Sequence, residues 1–156
     1  MDLEAQIQLL IDNAPQDGIT PQLITAIAPV LKAFAQRLAY KQYYILQGVD
    51  EQWVLTTLSK STNPKLEKRV IYAYPRLQDA IGSQSTTVNP ELTAKPIGVI
   101  HILFQLTAME PVDSIVFFET FGVSGDTIEI PRSELQLLIQ KAMSSYRSKV
   151  VPPDIA

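Results

Sequence analysis

Apolar residues recur at helical spacing from the start of the chain. Leu3, Ile7, Leu10 and Ile11 share one face, which predicts a short amphipathic helix closed by Ala14-Pro15-Gln16-Asp17-Gly18. Thr20 is placed to cap a second helix, with Pro21 at its first position. Leu23, Ile27, Val30, Leu31, Phe34 and Leu38 form its stripe. Pro29 lies inside the stripe and predicts a kink, because the pattern resumes on both sides.

The period then changes. Tyr43-Tyr44-Ile45-Leu46 and Trp53-Val54-Leu55-Thr56-Thr57 are rich in β-formers, with Gly48-Val49-Asp50-Glu51 as a turn between them. After a second turn at Ser61-Thr62-Asn63-Pro64, Val70 to Tyr74 reads as a third strand that Pro75 stops. These three strands predict an antiparallel meander. Arg76 to Ile81 has the length of one helical turn, and Gly82 to Pro96 reads as a long polar loop.

From Ile97 to Met109, apolar side chains cover nearly the whole circumference of a helix. Leu, Ala, Met and Gln content favours helix over a strand buried on both faces. Such a helix must be covered on every side, and a sheet covers only one. Pro111 ends it. Ile115 to Phe118 and Thr127 to Ile130 then read as two strands around the turn Gly122-Val123-Ser124-Gly125-Asp126. Ser133 with Gln136 has the spacing of a capping box for a last helix, whose stripe is Leu135, Leu138, Ile139, Ala142 and Tyr146. The expected class is α+β in the order α-α-βββ-α-ββ-α, with an antiparallel sheet of about five strands. Residues 1–147 read as one domain, of which 1–18 form a helical extension, and residues 148–156 as a flexible tail.

Composition removes most chemistry. The 156 residues contain no cysteine, which excludes disulfides, thiolate metal sites and thiol nucleophiles. Net charge is −3, so nucleic acid is a disfavoured partner, although Lys60, Lys65, Lys68 and Arg69 cluster. The acidic start Met1-Asp2-Leu3-Glu4 does not resemble a signal peptide, and the longest apolar run is too short to span a bilayer. A cytoplasmic protein without membrane contact is expected.

The element order from the second helix onward, roughly residues 20–147, resembles the fold of type III secretion chaperones. The stretch Pro111-Val112-Asp113-Ser114-Ile115-Val116-Phe117-Phe118-Glu119, with Gly125-Asp126-Thr127 and Arg132-Ser133-Glu134-Leu135, is similar to small uncharacterised cyanobacterial proteins. The chaperone resemblance implies a homodimer built on the middle helix. The net charge is milder than is usual in those chaperones, which counts against an effector-chaperone role.

Candidate catalytic groups are few. His101 is the single histidine and lies mid-way along the apolar segment, where an interface or core role fits better than catalysis. No zinc, EF-hand or phosphate-loop spacing is present. Glu110 and Asp113 flank Pro111, Glu119 ends the following strand, and Asp126 and Glu129 come after it. Glu119 follows Ile115 and Phe117 on one strand face, so an inward orientation would require a partner.

The leading expectation is a non-enzymatic homodimer that binds an unknown protein or peptide, with no cofactor and no metal. Its dimer interface is placed at Ile100, His101, Leu103, Phe104 and Met109. Partner-binding aromatics are placed at Tyr43, Tyr44, Trp53, Tyr72 and Tyr74. A small-ligand binder or enzyme with a carboxylate cleft near Glu110, Asp113 and Glu119 is the alternative. Single-stranded nucleic-acid binding by the aromatic strands is the third.

Overall fold

A computed structural model describes residues 2–60, 63–83, 91–121 and 125–150. The expected turns at 61–64 and 122–126, most of the 82–96 loop and the tail beyond Val150 fall wholly or partly outside them, as do the side chains of Lys60, Lys65 and Tyr146. The class is α+β.

Helices α1 (Leu3–Asp12) and α2 (Thr20–Ala35) follow the stripes read from the sequence, except that α2 ends before Leu38. The helix-start chemistry differs from expectation. Thr20 is already helical, and the carboxylate of Asp17 accepts the Ile19 and Thr20 amides and the Thr20 hydroxyl. Those three bonds hold the Asp17 pKa down at about 2.

The sheet is not a plain antiparallel meander. Strand β3 (Asn63–Ala73) pairs antiparallel with β2 (Thr56–Lys60) on one side and parallel with β5 (Ser114–Phe118) on the other. Strand β6 (Thr127–Pro131) closes that sheet antiparallel to β5. Parallel neighbours require a long crossover. Here it consists of α3 (Leu77–Gly82), β4 (Thr93–Gly98) and α4 (Val99–Ala108). Strand β1 (Gln42–Gln47) pairs with β4 in a second, two-stranded sheet. The two sheets meet through a bridge between Tyr44 and Tyr74. Strand β4 takes its first four residues from the segment read as loop and its last two, Ile97 and Gly98, from the segment read as helix. Its Thr-Ala-Lys-Pro-Ile-Gly sequence carries proline at an edge, a position strands tolerate.

Helix α4 is the centre of the core. Val99, Ile100, Ile102, Leu103 and Leu106 have no accessible surface. They pack with Leu31 and Phe34 of α2, Tyr43 and Ile45 of β1, and Leu135 of α5 (Arg132–Val150). The apolar circumference that suggested a dimer seam is therefore covered within one chain. Ile100 and Leu103 are corrected from interface to core, because they have no surface to offer a second copy. Among the described residues no helix is long and apolar enough to cross a membrane.

Side chains from distant elements tie both ends of α4. At the start, Gly98 has no side chain to cap with. The Gln6 Oε1 accepts the Ile100 amide at 3.0 Å, and its Nε2 donates to the Lys41 carbonyl at 2.9 Å. At the other end, Arg132 donates to the Leu106 and Thr107 carbonyls at 3.1 and 2.9 Å, and Gln136 to Thr107 at 3.3 Å. Gln136 thus binds α4 instead of closing the expected capping box with Ser133. Orphan groups at helix ends must find such partners when buried.

Gly98 is required by this arrangement. A Cβ there would lie 2.6 Å from Gln6 Oε1 and 2.8 Å from its Cδ. Gly98→Ala and Gln6→Ala are each expected to lower unfolding free energy by about 1–3 kcal/mol. In urea denaturation the double variant should lose less than the sum, because the clash disappears with Gln6. Additive losses would show that the two residues do not act on one contact.

Candidate functional site

The exposed strip of α4 faces a groove. His101, Gln105 and Met109 follow i, i+4, i+8 spacing and so stack along one helix face. Opposite them, Lys95 and Ile97 of β4 and Gln47 of β1 point to the same side of the ribbon, since Ile45 pairs with Lys95 and Tyr43 with Ile97. The far wall is the chain returning from β1. Gly48 to Gln52 turns with Glu51 at φ 62°, a left-handed conformation uncommon for a residue with a side chain. The turn delivers Gln52 and Trp53 to the groove, where a bridge from Trp53 to Gln47 holds the arm down. The cavity measures about 690 Å³, within the usual range for ligand clefts.

A second cleft of about 350 Å³ lies against α1 and is lined by Leu9, Leu10, Asn13, Lys41 and Gln42. The two clefts share Pro96, Ile97 and His101 as a common wall. His101 is thus common to both clefts. Partial desolvation in this concave setting lowers its pKa below the ordinary histidine value. Phe104 and Met109 are half-buried and pack against the core of their own chain.

The aromatic residues of the strands do not form one platform. Tyr43 is wholly buried, edge-on to Phe117 at 4.9 Å, and is corrected from partner-binding to core. Tyr44, Tyr72 and Tyr74 lie on the reverse of the sheet with Phe118 and Ala80 of α3. Tyr74 and Phe118 stack at 4.9 Å. Trp53 alone of the five reaches the groove. Among the described residues the sequence reading missed Gln47, Gln52, Lys95 and Gln105. The signal for Gln105 was present, as a polar residue four positions after His101 in an otherwise apolar helix.

The expected carboxylate cleft is not assembled. Glu110, Asp113 and Glu129 line a pocket of about 340 Å³ with Lys68 and Arg132. Glu119 is at the opposite end of β5. Asp113 accepts the Arg69 amide at 2.8 Å, and Glu129 is paired with Lys68 and accepts the Ser114 hydroxyl. These bonds hold the Glu129 pKa below its ordinary value, with the Lys68 bond the largest cause. Glu119 does have the partner that an inward carboxylate needs. It accepts the Tyr43 hydroxyl and the Ala39 amide, tying the α2–β1 connection to the end of β5. Among the described residues no three His, Asp or Glu side chains converge where a metal ion would sit.

Comparison with protein-family models finds no match, and comparison with curated proteins finds no significant relative.

Burial, followed by the Glu119 bond, raises the Tyr43 pKa far above that of free tyrosine, and burial also raises Tyr74. Both phenols stay protonated in the fold at a pH where the unfolded chain ionises. Stability contributed this way is present below about pH 10 and is lost as pH rises past it, by up to about 1.4 kcal/mol per pH unit for each group. Tyr43→Phe should cost about 1.5–3 kcal/mol at neutral pH and flatten the alkaline loss. Denaturant midpoints measured between pH 8 and 11 check both, and an unchanged alkaline slope would contradict the assignment.

Proposed function

We propose that the protein is a non-enzymatic binding module that holds a segment of another protein in the groove between α4 and the Trp53 arm. The groove itself carries this reading. It is open to solvent and lies beside a second cleft that shares Pro96, Ile97 and His101 with it, an arrangement suited to an extended chain. Its lining pairs an aromatic ring and a thioether with the amides of Gln47, Gln52 and Gln105, which can both donate and accept along a peptide backbone. Trp53 is the natural anchor, since tryptophan is enriched among the residues that carry binding energy.

A chaperone-like role agrees with the order of elements, in which a helix, three strands, a helix, two strands and a helix are in sequence once α1, α3 and β4 are set aside. Self-association has less support than the groove, because two of the five seam residues are core.

Peptides selected from a random display library on the intact protein should share an aromatic or aliphatic anchor. They should bind Trp53→Ala at least tenfold more weakly, and that variant should retain its thermal unfolding midpoint within a few degrees. Selected peptides that bind the variant undiminished would place recognition elsewhere and refute the reading.

A further inference from the structure

The charges along the two clefts are unevenly distributed. Lys95 lines the groove and Lys41 the cleft beside α1, both exposed, and among the described residues neither forms an ion pair. Glu51 is the single carboxylate in the combined lining, and the α1 cleft has none. This local cationic excess stands on a chain whose net charge is −3, so it is not a by-product of a basic surface. Lys95 pairs across the ribbon with Ile45, four residues after Lys41. At a strand rise of about 3.3 Å, the two attachment points are roughly 13 Å apart. Between them lie Pro96, Ile97 and His101, an apolar stretch with one titratable ring.

We propose that the occupant of this track is an acidic, extended peptide segment whose carboxylates, about four residues apart, meet Lys41 and Lys95 while an apolar residue between them packs on Pro96 and Ile97. This rests on the groove being a peptide site and adds the ligand's charge and spacing. Backbone pairing to the free edge of β4 is not the mode of binding. The Tyr44 amide and carbonyl bond to Tyr74, so its cross-strand partner Pro96 directs its nitrogen to the free edge, and proline leaves the centre of that edge without a donor. Side-chain chemistry has to carry selectivity.

His101 gives the track a pH response. The charged groups that line its two clefts are Lys95 of β4, Glu51 of the turn after β1 and Lys41 just before β1, while α1 and its C-cap contribute Gln6, Leu9, Leu10 and Asn13, none of them charged. Below its lowered pKa the ring becomes a third cation between the lysines, while ligand glutamates stay ionised down to about pH 4.3. Binding should tighten as pH falls below the ordinary histidine range.

The test uses three labelled peptides of about ten residues, identical in their leucine and threonine positions and differing at two sites four apart, which carry Glu, Gln or Lys. Fluorescence anisotropy at low salt would be measured on the full chain and on Trp53→Ala, His101→Gln and Lys41→Glu/Lys95→Glu. The expected order is Glu over Gln over Lys, with roughly a tenfold preference between the extremes, inverted by the double charge reversal and reduced by salt. His101→Gln should abolish the gain at low pH. If all three peptides bind equally and each loses affinity in Trp53→Ala, the groove reading stands and the acidic ligand is overturned. If the Glu peptide fails to bind, or binds Trp53→Ala as tightly as the native chain, the peptide-site reading and this proposal both fall.

Discussion

Everything in this structure depends on helix α4 being held inside its own chain. Five of its side chains have no accessible surface. At about 1.5–3 kcal/mol for each fully buried large apolar side chain, they contribute on the order of 10 kcal/mol against chain entropy. That is comparable to the whole stability of a typical domain. The polar ties from Gln6, Arg132 and Gln136 are worth about 1 kcal/mol each and cannot drive burial. Their role is orientation. They fix the rotation of α4, so that the strip of His101, Gln105 and Met109 is turned outward.

That rotation makes the groove. The ribbon contributes the floor because Lys95 and Ile97 share a face with buried Tyr43 and Ile45. The Trp53 arm contributes the wall because a strained turn at Glu51 folds the chain back onto Gln47. Site and core are therefore two faces of the same three elements, and the chain has little freedom to change one without the other.

Much of this was legible in the sequence. Stripes at helical spacing located α1, α2 and α5, and the all-round apolar segment gave α4 its burial. What the segment could not say was who covers it. A buried helix and an interface helix carry the same residues, and only the packing of α2, β1 and α5 distinguishes Ile100 and Leu103 as core. Strand β4 was hidden because alanine, lysine, proline and glycine are poor strand formers and its pairing with β1 is set by tertiary contact. The parallel pairing of β3 with β5 was hidden for a similar reason, since it depends on where α4 crosses. Trp53 and His101 were singled out from sequence, but their meeting across a groove depends on that same crossing.

Native-state hydrogen exchange of the α4 amides, followed as the protein is diluted, distinguishes a helix covered by its own chain from one covered by a second copy. If the chain's own core covers the helix, amide protection from Ile102 to Leu106 should match global unfolding and remain constant with concentration. Protection that falls on dilution would mean that a second copy covers the helix, and would contradict the account.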